Sequence, residues 1–303
     1  MRYYVFLALA PLFWAGNWVV GRGVHDIISP IGLNFWRWFI ATLILLPVGL
    51  PAVMRQWPVV RREMRPLLLI ALTGGVCFSF LVFWGLNHTS AINGVVLNSS
   101  LTFFIVLFSW LMLGDRLTVR QGLGMMTSVL GVLVVVSRGD PGFLFHLEFG
   151  FGDLLILLAV PLWALYSVML KIWPTRLDGL AHLTVTAALS AGLCGLVYPI
   201  DILLNAKAVP PLEPAMIGAM LFIAVFPSIG SFFFWSEGIK GLSPNMASYM
   251  YPLMPAYGTI LAVLFLGETL HGFQFVGLAI ILAGVYTCTV PPRRRVQPQN
   301  PSR

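Results

Sequence analysis

Apolar residues in this chain come in long unbroken runs, with polar residues confined to short gaps between them. Crossing a hydrocarbon core of ~30 Å takes about 20 apolar residues in a helix. Runs of that size begin near Tyr3, Ile31, Pro66, Ser90, Val119, Gly152, Gly179, Pro214, Ser243 and His271. They predict ten helices, with the narrowest separation at Asn87-His88-Thr89. The short alternating segments of a membrane barrel are absent from the pattern. Helices satisfy their own backbone groups where no water can, so the expected fold class is an all-α membrane protein.

Composition strengthens that expectation. The chain of 303 residues is 58% hydrophobic and 10% charged, against roughly 25% charged in a soluble domain. Too few polar groups remain to cover a water-facing surface, so the expected partner of the outer surface is the lipid bilayer. The net charge of +7 does not point to nucleic acid, because the basic residues sit in the short gaps and at the tail. With the N-terminus placed in the cytoplasm, inside segments hold Arg2, Arg55, Arg61, Arg62, Arg65, Arg116, Arg120, Lys171, Arg176, Lys240, Arg293, Arg294, Arg295 and Arg303. Outside segments hold only Arg22, Arg138 and Lys207, and Arg37 is left within a span. The positive-inside bias then predicts a multi-pass protein of the bacterial inner membrane with both termini cytoplasmic. Cys77, Cys194 and Cys288 lie in apolar runs and suggest neither disulfides nor a metal site. No two histidines make metal-ligand spacing, and no cofactor is expected.

One pattern is written twice. Trp14-Ala15 matches Trp163-Ala164, Phe83-Trp84 matches Phe234-Trp235, and Gly114 through Val132 matches Gly267 through Val285. The offsets are 149, 151 and 153 residues, as small insertions would give. Spans one to five thus align with six to ten. Five is odd, so the second copy enters the membrane from the opposite side, giving two inverted five-helix repeats with a substrate site between them near the midplane. The expected units are a first repeat over 1–138, an outer linker over 139–151, a second repeat over 152–290 and a disordered basic cytoplasmic tail over 291–303.

The end of each copy reads Leu113-Gly114-Asp115, Leu117, Gln121, Gly124, Gly131 and Leu266-Gly267-Glu268, Leu270, Gln274, Gly277, Gly284. This signature resembles that of the EamA family of the drug/metabolite transporter superfamily, and Arg37, Ser90 and Ser243 also fit its pattern. The likeness runs from about Tyr3 to Val290. Within the family the chain is similar to bacterial amino acid exporters, aromatic amino acid exporters above all. The resemblance implies that spans five and ten are peripheral while the other eight surround a central cavity. Thr102 stands where the family often has proline, whereas its repeat mate Pro255 keeps it.

Several polar and aromatic residues are candidates for holding a substrate. Trp14 and Asn17 share a helical face, as do Trp163 and Tyr166, and the repeat aligns Asn17 with Tyr166. Polar groups at that depth face the bundle interior, where Asn17 either lines a cavity or bonds a neighbouring helix. Asn98 and its repeat mate Tyr251 lie on stripes of small and polar residues in spans four and nine. Arg37 either snorkels outward or turns inward, where it can grip a carboxylate with two hydrogen bonds. Trp84 and Trp235 read as anchors at the membrane boundary. Gly124, Gly131, Gly277 and Gly284 give smooth faces that pack within the chain or between chains, so a monomer or weak oligomer is expected. Pro11, Pro161, Pro227, Pro252 and Pro255 are candidate gating bends.

The middles of the spans carry no acidic residue, which argues against a cationic drug as the main substrate and against a buried proton relay. One embedded cation is too few for a phosphorylated substrate. A small zwitterionic metabolite with apolar surface remains, and amino acids fit. The leading expectation is an exporter working by alternating access. Its alternatives are an exporter of other neutral or amphipathic metabolites or drugs and, from another class, an intramembrane enzyme. No catalytic constellation is present: there is no HExxH, Asp115 lacks a partner acid, and Ser228 lacks a buried histidine.

Overall fold

The computed structural model describes residues 1–24, 26–89, 94, 97–98, 100–137, 139–140, 142, 150–266 and 271–289. Ser90, Gly267-Glu268, Leu270, Arg138, most of the 139–151 linker and the tail from 291 lie outside the described residues, as do the side chains of Trp18 and Arg22.

Among the described residues the elements are helical, without a strand. In chain order they are α1 (Arg2–Val24), α2 (Pro30–Arg55), the short α3 (Trp57–Arg62), α4 (Met64–Leu86), α5 (Leu101–Leu113), α6 (Val119–Val136), α7 (Phe151–Ile172), α8 (Gly179–Leu204), α9 (Pro214–Gly241), α10 (Pro244–Met250), α11 (Leu253–Leu266) and α12 (Gly272–Thr289). Helices α2, α4, α7, α8, α9 and α12 are long and apolar enough to cross a membrane by length and composition, and α5 and α6 are shorter apolar helices.

Local chemistry sets the helix ends. Ser29 caps α2 by accepting from Gly32 N–H, and Pro30 sits in the first turn, where its missing N–H costs nothing. Asp178 caps α8 and Ser243 caps α10 in the same way. Gly114, at φ 72°, ends α5 in the left-handed region that glycine tolerates. Thr118 and Gln121 form a reciprocal capping box at the start of α6. Gln274 accepts from His271 N–H at 2.7 Å before α12. Gly114, Gln121 and Gln274 of the end-of-repeat signature are therefore helix punctuation.

Helices pair across the two halves of the chain. The most extensive pairings are α6 with α12 and α2 with α8. On α2 and α8, Ser29 bonds Asp201, Asn34 reaches Cys194 at 3.4 Å, and Gln56 bonds Asp178 at 2.5 Å, so the two helices run antiparallel. On α6 and α12, Gly124 lies against Gly284 while Gly131 lies against Gly277, again antiparallel. A Cβ on Gly131 would stand 2.7 Å from Ile281 N and 2.8 Å from the Gly277 carbonyl. These glycines serve packing within the chain. Helix α1 packs on α9 much as α7 packs on α4.

The counterparts α4 and α9 each contain one seven-residue π stretch, Ala71–Cys77 and Ala224–Gly230, both separated by 153 residues. Just beyond, Gly85 lies against Ile156 of α7, and Gly238, also 153 residues later, lies against Leu7 of α1. This register corrects the sequence pairing of Phe83-Trp84 with Phe234-Trp235 at 151. In space, Trp235 corresponds to Val82, and Trp84 corresponds to Glu237.

Polar ties gather at the two ends of the bundle. At one end, Glu63 accepts from Thr175 at 2.5 Å, Lys171 donates to the Leu242 carbonyl at 3.1 Å, and Lys240 pairs with Glu237 at 3.1 Å. At the other, Ser29 N–H donates to the Lys207 carbonyl at 2.8 Å and Thr89 donates to Asp153 at 2.5 Å.

Candidate functional site

Both halves of the chain enclose a cavity of about 470 Å³, counted with its open mouth. Trp14 and Asn17 of α1, Arg37 of α2 and Phe78, Ser79, Val82 and Phe83 of α4 line it from the first half. Trp163 of α7, Phe232 of α9 and Tyr251, between α10 and α11, line it from the second.

The π stretches shape this space. A π turn shifts the backbone register and leaves carbonyls without their usual helical partner. Two indoles take up such carbonyls: Trp38 Nε1 donates to Gly75 O at 2.7 Å and Trp14 Nε1 to Pro227 O at 3.2 Å. Ser228, next to Pro227, donates to Ile223 O at 2.8 Å. Pro227 has no N–H to give, which helps open the ladder in α9, and Gly74-Gly75 occupies the equivalent stretch of α4. The distortion brings Ser228 and Ser79 to Arg37, which donates to them at 3.0 and 3.4 Å.

Arg37 turns inward and does not snorkel: it is 3% exposed. Its guanidinium lies over the rings of Trp38 at 5.0 Å and Phe83 at 5.8 Å. Trp14 and Trp163, repeat mates in the sequence, meet edge to face with centroids 5.0 Å apart. Asn98 and Tyr251, also repeat mates, are joined by Asn98 Nδ2 donating to the Tyr251 hydroxyl at 2.6 Å. Two pairs aligned by the repeat thus come into direct contact where the halves meet.

Of the seven residues singled out as substrate ligands, Trp14, Asn17, Arg37, Trp163 and Tyr251 share the cavity. Asn98 stands behind Tyr251 and lines a second space of about 300 Å³ with Thr102, Pro252 and Pro255, so Tyr251 is a wall common to both. Tyr166 is buried behind Trp163, with ring centroids 4.9 Å apart. Among the candidate bends, Pro11 and Pro161 lie inside unbroken helices, Pro227 lies in the π stretch, Pro252 falls at the break between α10 and α11, and Pro255 is in the first turn of α11.

Trp235 overturns its reading as a boundary anchor. It is fully buried, donates Nε1 to Ser167 Oγ at 3.0 Å and packs on Trp14 at 5.3 Å. The cavity residues Phe78, Ser79, Val82 and Phe232 were missed. Seen only as span composition they are ordinary apolar and small residues, and the signal that would have found them is the 153-residue register, which sets Ser79 against Phe232. Two further groups in the cavity lack a hydrogen-bond partner among the described residues, Asn17 Oδ1 and Trp163 Nε1. The described residues hold no group of three metal-ligating side chains.

The chain matches the EamA-like transporter family over residues 1–137 and again over 150–290. It is 24% identical to the uncharacterized transporter YyaM of Bacillus subtilis (strain 168), covering 95% of this chain and 94% of that one. A protein of Streptantibioticus cattleyicolor described as a "probable terminal-alkyne amino-acid exporter" is 26% identical, over 92% of this chain and 90% of its own. A solved crystal structure superposes with a TM-score of 0.76 at 21% identity, covering 95% of this chain and 96% of that one, a likeness of fold alone. With its family signature matched twice, on either side of the cavity, this chain belongs to the EamA-like transporter family.

Proposed function

We infer that the protein is a secondary transporter of the bacterial inner membrane that exports small metabolites, foremost amino acids including aromatic ones. Ten spans form two inverted repeats over 1–138 and 152–290, and the halves rock about the shared cavity to expose it alternately to either face. The observation that carries this reading is the cavity itself, walled by Trp14, Asn17 and Arg37 from one half and Trp163, Phe232 and Tyr251 from the other. The antiparallel crossings of α2 with α8 and of α6 with α12 support inversion, because a two-fold axis in the membrane plane reverses each helix onto its mate. The end holding Arg55, Arg61, Arg62, Arg65, Lys171, Arg176 and Lys240 is the cytoplasmic one by the positive-inside rule. The Streptantibioticus relative, described as an amino-acid exporter, supports the substrate class.

Aromatic walls suit an aromatic side chain, and the absence of mid-span acids from the sequence argues against cationic drugs. Purified protein in liposomes is expected to carry labelled phenylalanine with saturable kinetics, and unlabelled amino acids should compete. Flux that neither saturates nor responds to competitors would reject a carrier. Cytoplasmic labelling of one terminus and external labelling of the other would reject the inverted ten-span arrangement.

A further inference from the structure

The cavity contains a cation that no described residue neutralises. Among the described residues the Arg37 guanidinium meets the hydroxyls of Ser228 and Ser79 and the ring faces of Trp38 and Phe83, and it forms no ion pair. A guanidinium withdrawn from water is costly to keep unless an anion meets it. Serine hydroxyls satisfy hydrogen bonds but not charge. Two further groups in the same cavity have no hydrogen-bond partner among the described residues: the Asn17 carbonyl oxygen, an acceptor, and the indole N–H of Trp163, a donor on a side chain 2% exposed. Buried polar atoms are nearly always paired, so each such exception needs a cause.

We propose that the cavity selects molecules with one carboxylate, held by Arg37, together with one ammonium, held by Asn17 Oδ1, so that its head group is that of an α-amino acid. The inference rests on the transporter reading and deepens it by naming what the site recognises. The balance of charges decides between ligands. A carboxylate neutralises Arg37 through charge-assisted hydrogen bonds. An amine without a carboxylate brings a second positive charge into a space that already holds one. A second carboxylate finds no second cation in the cavity lining among the described residues. The remainder of the molecule lies against Trp14, Trp163, Phe78 and Phe232, where a flat ring gains contact on several faces. Such selection acts on the ligand's head group and leaves its side chain broadly free.

The test is competition for labelled phenylalanine on purified protein in nanodiscs, using phenylpropionate, phenethylamine and phenylalaninamide. Phenylalanine should bind most tightly, with phenylpropionate next. The amine and the amide, which lack the carboxylate, should be weaker by about ten- to a hundredfold. Arg37→Gln should remove the preference for phenylalanine over its amide, and Arg37→Lys should keep part of it. Should Arg37→Gln fail to fold, the ranking of the four compounds on the wild-type protein still decides. Equal competition by amine, amide and amino acid would overturn the proposal, as would an unchanged ranking in Arg37→Gln. Saturable flux of other metabolites with no binding of phenylalanine would overturn it while leaving the transporter reading intact. A lack of carrier-type flux for every solute would instead strike the transporter reading.

Discussion

Of the chain's four Phe-Trp pairs, the one in α4 and the one in α9 face opposite ways. In α4, Phe83 is buried and lines the cavity, while Trp84 is 36% exposed and touches Phe80 and Phe151. In α9, Phe234 stacks on Phe6 with centroids 5.0 Å apart, while Trp235 is wholly buried against Trp14 and Tyr251. The cause is phase. Phe83 comes six residues after Cys77, the end of its π stretch, and Phe234 comes four residues after Gly230, the end of its own. Two residues turn a helix by about 200°, so the same two letters occupy opposite faces. The functional result is an asymmetric cavity. Where Val82 leaves room on one side, Trp235 fills the equivalent place and, with its bond to Ser167, ties α9 to α7.

Removing the two indoles gives the widest separation. Trp235→Ala deletes a fully buried ring and strands Ser167, so it should cost about 3–5 kcal/mol. Trp84→Ala removes a ring already open on one side and should cost much less. Thermal unfolding in detergent would register the difference as a large fall in Tm for the first variant and a small one for the second. Equal losses would break the comparison and restore both tryptophans to one role.

A smaller effect on stability, but a large one on transport, follows from giving α4 the residue that α9 has at this register. Val82→Trp places an indole in the cavity opposite Trp235. Overpacking should cost about 1–3 kcal/mol, while the filled cavity should reduce phenylalanine flux to near background. A folded Val82→Trp protein with wild-type flux would mean that this space is not the substrate's route.

How legible these features were depended on the period that carries each. The helical spans were legible because twenty-residue apolar runs have few other solutions. The alignment of Trp14 with Trp163 and of Asn98 with Tyr251 followed from the repeat, and the structure brings both aligned pairs into contact. Arg37 was identifiable as an embedded cation, but its inward turn was not, because six residues from a helix end leaves both directions open. The Phe-Trp offset misled because sequence identity rewards matching letters, whereas helix packing rewards matching phase. The π stretches account for that failure: nothing in Ala71–Cys77 marks a widened turn, and only Pro227 hints at one in Ala224–Gly230. Ser79, Ser228 and Phe232 owe their places to those stretches and were hidden with them. The described Gly and Gln residues of the end-of-repeat signature, by contrast, resolve into helix caps and glycine contacts, and none of them lines the cavity.

The least of these asymmetries lies at the caps of α2 and α8. Ser29 and Asp178 occupy the same repeat position, yet only Asp178 can titrate. The Ala181 N–H, chiefly, holds its carboxyl below the usual carboxylate range; burial opposes it as the next largest effect, and Gln56 and Arg55 add to the lowering. A carboxylate whose pKa is lowered on folding adds stability that is complete above its unfolded value, about 3.9, and disappears as pH falls through the folded value. Asp178→Ser gives α8 the cap that α2 has. Near neutral pH the substitution should cost no more than about 1 kcal/mol, since serine also caps well. The wild-type advantage should shrink as pH drops below about 4, and the two Tm curves should converge there. A constant gap across that range would mean that the charge of Asp178 contributes nothing, and that the two caps differ only in shape.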